Sequence, residues 1–259
     1  MLTITINTES IINMQRLNGL ADLHCHILPG VDDGSDCIET SLEMLELSAE
    51  SGVTDLVCTP HCIPGYYENY KGEKLNAKFD KLKQAAKDAG IPVNLHLGME
   101  VYGHGNTFQD IKNDRLCTIA GSKYMLVEFN FGERIDVVQN VIDDIADAGF
   151  IPVIAHPERY KFVAARPALL YDWADRGFPL QSNKDSINGK FGRLVYEIVM
   201  DMLSDRLVSA VASDAHSSLT RTPYLGYAYN AVEENFGKKY AELIFCENPH
   251  RIINNDDVI

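Results

Sequence analysis

Histidines and carboxylates recur along this chain at short, regular spacings. His24 and His26 stand two apart in DLHCH (22–26), and Asp214 and His216 stand two apart in SDAH (213–216). Residues two apart on a strand point to one side, so each pair can share a cation. The same donor types punctuate the rest of the chain. Asp32 and Asp33 follow Pro29-Gly30, His61 closes TPH (59–61), Glu100 closes GME (98–100), Glu128 lies in VEF (127–129), and His156 opens HPERY (156–160). A lone histidine beside an apolar run is more often a packed core or rim residue than a ligand. Five of the eight histidines falling in this one series is not explained by loop capping.

His24, His26, Asp33, His61, Glu100, Glu128, His156, Asp214 and His216 make nine donors, more than the about four to six that one ion accepts. Two or three divalent ions bridged by carboxylates fit better. Asp32 and Asp33 are adjacent, and which of them turns inward is open. The mixture of imidazole and carboxylate suits Mn, Fe or Zn more than Mg or Ca. A centre of this kind favours hydrolysis, because it lowers the pKa of water and clamps a phosphoryl group. Arg159 follows His156 by three positions and Arg221 follows His216 by five. Both could reach a phosphate as forked donors; a surface ion pair is the plainer role for each. The segment CIPGYYENYKGE (62–73) carries Tyr66, Tyr67 and Tyr70 beside His61. It could line an entrance for a phenyl ring, Tyr66 included, or be an ordinary loop.

Other residues are expected to stay outside this chemistry. His96, His104 and His250 read as structural or surface side chains. No cysteine is followed by an arginine six positions later, and Cys62 has Glu68 there, so the Cys-x5-Arg loop of thiolate phosphatases is absent. The six cysteines are scattered, with no Cys-x-x-Cys pair. They fit free thiols in a reducing cytoplasm, where this chain is expected. Cys25, between two candidate ligands, reads as a small buried filler.

Positioning such donors requires strands. Short apolar runs at 20–24, 54–58, 92–98, 123–128, 151–155, 179–182 and 207–212 read as buried strands. Amphipathic stretches at 37–51, 74–89, 134–148, 165–176, 185–204 and 223–245 read as helices. In 37–51 the apolar face is Ile38, Leu42, Leu45 and Ala49; in 134–148 it is Ile135, Val138, Ile142 and Ile145. Gly52, Gly90, Gly149 and Gly177 follow four of the helices, where left-handed stops are expected. Strand alternating with helix implies an α/β fold with a parallel sheet. Six of the seven strands end on a histidine or carboxylate. A closed or nearly closed barrel brings all those ends to one face.

Composition bounds the function. The chain has 259 residues, and 23 Lys+Arg against 37 Asp+Glu gives 23 − 37 = −14. That balance argues against sequence-independent binding to nucleic acid or to an anionic membrane. No apolar run is long enough to span a bilayer, and the first twenty residues lack the pattern of a secretory signal. An anionic substrate would need local positive charge. Three dications against the four carboxylates would leave the site near +2 (about +6 − 4).

These residues resemble the PHP-domain (polymerase and histidinol phosphatase) metallohydrolases, and among them the bacterial capsular and exopolysaccharide tyrosine-protein phosphatases. DLHCHILPGVDDG (22–34), TPH, GME, VEF, HPERY and SDAH with Arg221 carry the resemblance, from about residue 20 to 245. LPGVDDG and HPERY are the more specific pieces. The resemblance implies a distorted seven-stranded (β/α) barrel, similar to a TIM barrel, over 20–259. It implies a trinuclear, often Mn-activated site whose ligands are the nine donors named above, with Arg159 and Arg221 holding phosphate. The implied substrate is phosphotyrosine on a tyrosine autokinase of polysaccharide export, with a tyrosine-rich tail. A phenolate leaving group has a pKa near about 10, so it needs little acid help, from His61 or from water. Residues 1–19 depart from the family pattern as an extension, where Leu2, Ile4 and Ile6 alternate as in an edge strand. Two other readings stay open: a phosphatase of a small phosphomonoester of the histidinol-phosphate type, and a metal-binding regulatory module without turnover.

Overall fold

The structure, a computed structural model, describes residues 17–259. The alternation at Leu2, Ile4 and Ile6 lies outside the described residues. Ten strands follow in chain order: β1 (Leu20–Cys25), β2 (Val53–Cys58), β3 (His61–Ile63), β4 (Tyr67–Glu68), β5 (Asn94–Leu97), β6 (Glu100–Tyr102), β7 (Tyr124–Glu128), β8 (Ile151–Ala155), β9 (Leu180–Asn183) and β10 (Val208–Ala212). The runs LADLHC in β1 and YMLVE in β7 are buried along their whole length. That is what strands covered on both faces require.

The strands form two sheets, one in the order β1-β2-β5 and one in the order β10-β9-β8-β7-β6-β3-β4. Every pairing is parallel except the short β3–β4 hairpin. The seven expected strands are present as β1, β2, β5, β7, β8, β9 and β10, but hydrogen bonding divides them between the sheets. Thr59-Pro60 separates β2 from β3, since proline has no N–H for a ladder. Gly98-Met99 separates β5 from β6. The neighbouring chains stay side by side through both breaks: Gly98 N donates to Cys58 O at 2.8 Å and Glu100 N to Pro60 O at 3.1 Å. At the other border, Asp214 N donates to His24 O at 2.8 Å and His26 N to Ala215 O at 2.9 Å. The two sheets also share a packed core. Ala21, Leu23 and Val57 from one meet Leu126, Val153, Ala155, Ala210 and Ala212 from the other.

Helices cover the strands. Helix Ile135–Asp147 buries Val138, Val141, Ile142 and Ile145, close to the expected face. Helix Ile38–Glu50 buries Ser41, Met44, Leu45 and Ser48, with Ile38 and Leu42 of the expected face partly buried against the core beside them. Ser41 can be buried because its hydroxyl donates to Ile27 O at 2.7 Å. Three expected helices are interrupted. The stretch 165–176 becomes Lys161–Ala165 and Ala168–Asp175, parted at Arg166-Pro167. The stretch 185–204 becomes Lys184–Ile187 and Arg193–Ser204, with Gly189 and Gly192 at positive φ between them. Gly237, also at positive φ, interrupts 223–245 between Gly226–Phe236 and Lys238–Glu242. The expected stops at Gly52, Gly90, Gly149 and Gly177 all have positive φ. Among the described residues no helix is long and apolar enough to cross a membrane.

Candidate metal centre

The ends of β1, β7, β8 and β10 and the starts of β3 and β6, just past the ends of β2 and β5, bring the predicted donors together. His24 and His26 come from the end of β1, and His61 and Glu100 are direct register partners on β3 and β6. Glu128 ends β7, His156 follows β8, and Asp214 and His216 follow β10. His156 and Asp214 both take the left-handed backbone region, at φ 35° and 49°. Non-glycine residues pay strain to stand there, and such strain gathers at functional sites.

The donors form four overlapping groups: His26, Asp33, His61 and His216; His24, Glu100 and His156; His24, His26 and Asp214; and His61, Glu100 and Glu128. Glu100 is central and fully buried. Its Oε1 lies 3.1 Å from both His24 Nε2 and His156 Nε2, while Oε2 lies 3.2 Å from His26 Nε2 and 2.9 Å from His61 Nδ1. His61 Nδ1 is also 2.9 Å from Glu128 Oε1. Asp33 Oδ1 faces His61 Nε2 at 3.5 Å and His216 Nε2 at 3.6 Å.

The pair Asp32 and Asp33 divides its labour. Asp32 Oδ2 lies 2.9 Å from His26 Nδ1 and accepts from His61 N at 3.0 Å; Oδ1 accepts from Gly34 N at 3.0 Å. Asp32 thus braces His26 from behind, whereas Asp33 is the one grouped with His26, His61 and His216. Gly34 makes this loop possible, because a Cβ there would stand 2.0 Å from His26 O.

A chain of amides behind the donors had escaped the sequence reading. Asn183 Nδ2 donates to Asp214 Oδ2 at 2.6 Å, and Gln181 Nε2 donates to Asn183 Oδ1 at 2.9 Å. Gln181 Oε1 lies 2.9 Å from His24 Nδ1. A carboxylate only accepts, so the orientation of each amide follows from Asp214. His24 Nδ1 must then carry the proton, which leaves its Nε2 lone pair facing Glu100. His26 is set in the same way by Asp32, and His216 by its Nδ1 contact with Asp214 O at 3.0 Å. Gln181 and Asn183 belong to β9, the one expected strand of the seven for which no histidine or carboxylate was assigned at its end. A polar pair two apart in a buried run was the available signal. Glu158 also went unassigned. It is buried, and its Oε1 accepts from Asn183 N at 2.9 Å and Ser186 Oγ at 2.6 Å.

The donor set fits divalent cations. His61 Nδ1, Glu100 Oε2 and His156 Nδ1 are buried and make no directed hydrogen bond, although acceptors or donors crowd the first two at about bonding distance. His24 and His26 point their Nε2 atoms at each other, 3.1 Å apart. Buried polar atoms left so are costly unless something satisfies them. Protons take that place in the metal-free chain. Burial disfavours charged His61 and His26, but Glu100 and Glu128 raise His61 to about 12, and Asp32 and Glu100 raise His26 to about 9. His216, buried beside His26, is pushed down to about 2.

The arginines reach the same place. Arg159 Nη1 donates to Asp214 Oδ2 at 3.1 Å, and Arg221 Nη2 lies 2.7 Å from the same oxygen. Among the tyrosines, Tyr66 is largely exposed. Tyr67 is the one beside the donors: its ring stacks over His61 at 6.0 Å between centroids, and Tyr66 packs edge-on against it at 4.6 Å. Tyr70 lies instead against Arg115. His96 and His250 both face Asp55, and His104 faces Asp110. All three therefore lie outside the donor cluster.

Comparison with known proteins identifies the family. The chain is 31% identical over 239 residues to the tyrosine-protein phosphatase YwqE of Bacillus subtilis (strain 168), covering 92% of this chain and 93% of that one. It is 29% identical over 239 residues to the tyrosine-protein phosphatase CpsB of Streptococcus pneumoniae, covering 90% and 98%. A crystal structure from the work on YwqE and CpsB, described as unique metal-dependent tyrosine phosphatases, superposes with a TM-score of 0.87 at 30% identity, over 93% of this chain and 96% of that one. A lactonase from Listeria monocytogenes shares the fold at a TM-score of 0.59 and 12% identity. The family described as capsular polysaccharide synthesis, CpsB/CapC, matches residues 20–254, and this chain belongs to it.

Proposed function

We propose that this chain is a metal-dependent phosphatase of phosphotyrosine, acting on a tyrosine kinase of polysaccharide export in the cytoplasm. The observation that carries the reading is the meeting of five imidazoles and four carboxylates in four overlapping groups, with two arginines on the carboxylate of Asp214. YwqE and CpsB are named tyrosine-protein phosphatases, which supports the same substrate class. We read the two abutting sheets as one distorted seven-stranded barrel whose mouth is this site.

In this reading His24, His26, Asp33, His61, Glu100, Glu128, His156, Asp214 and His216 hold two or three divalent ions, Mn foremost. When bound, such ions polarise phosphoryl oxygens and lower the pKa of water. Arg159 and Arg221, each bonded to Asp214 through one nitrogen, offer their remaining N–H groups to the phosphoryl oxygens and neutralise their charge. Glu100 and Asp214 hold the imidazoles in place, and Asp32 and Gln181 fix their tautomers. Water supplies the new P–O bond, the P–O bond to the tyrosyl ring breaks, and the phenolate takes a proton. Water supplies that proton where His61 holds an ion; His61, partly open to solvent and next to Asp33, supplies it only where it does not. The products are tyrosine and inorganic phosphate.

Steady-state hydrolysis of a phosphotyrosine peptide, compared with histidinol phosphate and other small phosphomonoesters, tests the assignment. A kcat/KM at least tenfold higher for the peptide is expected. Higher efficiency on a small alkyl ester would make the chain a small-molecule phosphatase, and no turnover of any ester with Mn present would make it a binding module.

A further inference from the structure

Two phenyl rings pack against the Arg159 guanidinium. Its central carbon lies 4.6 Å from the Phe131 ring centroid and 4.3 Å from that of Phe191. The rings come from different places: Phe131 follows β7, and Phe191 lies in the turn before helix Arg193–Ser204. Cation–aromatic contacts of this kind hold a guanidinium against its own rotamer freedom. The rings differ in what else they meet. Phe191 is half-buried, whereas Phe131 remains 40% exposed. Phe131 also stands at the donor cluster, its ring 6.1 Å from His156 and 6.0 Å from Tyr160. Its backbone is tied to the Arg159 segment, because Lys161 N donates to Phe131 O at 2.9 Å.

We infer that Phe131 is a specificity residue, whose open face receives the aromatic ring of an aryl phosphate while Arg159 beside it holds the phosphate. Phe191 is a positioning residue that acts only through Arg159. The inference rests on the phosphatase reading for its ligand class, an aryl phosphomonoester. What singles out Phe131 is its place beside both Arg159 and His156. In a phosphotyrosine the ring is joined to the phosphate through a single oxygen, so a phosphate on Arg159 carries its ring to the neighbouring surface. A phosphoserine offers no ring to that surface. Aromatic contacts of this kind change affinity by roughly two- to tenfold.

Binding of phenylphosphonate and methylphosphonate to the Mn-loaded protein, measured by calorimetry, tests this without dependence on leaving-group reactivity. The unmodified protein should prefer the phenyl compound. Phe131→Ala should reduce the phenyl-to-methyl preference by roughly two- to tenfold, and Phe131→Leu should fall between. Phe191→Ala should weaken both compounds and inorganic phosphate together, leaving their ratio intact. Metal content and Tm, measured on each variant, separate these effects from loss of the fold. Equal weakening of both phosphonates by Phe131→Ala would overturn the specificity role and leave Phe131 a mere support of Arg159. Absence of phosphotyrosine turnover in the unmodified protein, with the phenyl preference intact, would count against the proposed function and not against this contact.

Discussion

Arg159 and Arg221 meet on one atom, Oδ2 of Asp214, at 3.1 and 2.7 Å. The other oxygen, Oδ1, faces the imidazoles of His24, His26 and His216 at 3.5–3.6 Å. Asp214 is therefore the joint between the two arginines and the donor cluster. Burial opposes its charge, but His24 and Arg221 hold its carboxyl well below the usual range. Asp214→Asn should lower kcat/KM by about 10²-fold or more, because both halves lose their shared anion. Arg221→Ala should cause a comparable loss and also raise the inhibition constant of inorganic phosphate. Steady-state kinetics with phosphate as inhibitor checks both.

Gln181→Leu breaks the amide chain at His24 Nδ1 without touching a donor. Partners of this kind are worth about 10- to 100-fold in metal affinity. The expected result is a Mn dissociation constant raised within that range, with activity restored by excess Mn. Asn183→Asp, which sets a second carboxylate against Asp214, should be harder to rescue. Metal titration with activity as readout distinguishes the two.

Cation uptake should release protons. The metal-free chain keeps His26 and His61 protonated at neutral pH, since their pKa values are raised to about 9 and about 12. A raised histidine pKa means protons compete with cations, so affinity for Mn should fall as pH falls from 8 to 6. For the metal-free fold the sign is opposite. Their protonation stabilises below the unfolded histidine pKa of about 6.5, and that contribution is lost as pH rises through about 9 for His26 and about 12 for His61. Calorimetry in buffers of different ionisation enthalpy reads the protons released directly.

Gly34→Ala should cost activity more than stability. A Cβ there would meet His26 O at 2.0 Å, so the loop carrying Asp32 and Asp33 must move away. Overpacking of this kind destabilises by about 1–3 kcal/mol. Activity and metal content should fall well before the Tm shift suggests. Differential scanning calorimetry beside elemental analysis checks the contrast.

Cys62→Ser and Cys25→Ser should keep most activity. Both thiols are buried, and burial pushes Cys62 up to about 12, so neither is a thiolate nucleophile at neutral pH. A Cys62→Ser protein that retained metal yet lost turnover would contradict the assignment.

Much of this site was legible because its donors are of types that stand out in apolar runs. His24 and His26 at the end of β1, and Asp214 and His216 after β10, could be read from spacing alone. The partners that aim them could not. Gln181 and Asn183 are neutral amides whose meaning depends on two elements far apart in sequence. The choice between Asp32 and Asp33 depends on which way a tight loop turns. Of the three tyrosines, Tyr67 opens β4 and stacks on His61, while Tyr66 sits in the turn before it and is largely exposed. The strand runs were legible for the same reason as the donors. The division into β2 and β3, and into β5 and β6, was not, because Pro60 and Gly98 interrupt pairing at positions where the chain continues in the same direction. Gly189, Gly192 and Gly237 interrupted helices whose amphipathic pattern runs on past them.

The central claim is that the imidazoles and carboxylates at the strand ends bind cations on which hydrolysis depends. Elemental analysis of the purified chain and of His156→Ala, paired with phosphotyrosine hydrolysis before chelation, after it and after Mn is restored, tests it most directly. The account predicts about two to three divalent ions per chain, activity abolished by chelation and recovered with Mn, and both deficient in His156→Ala. Hydrolysis that survives complete removal of metal would contradict it.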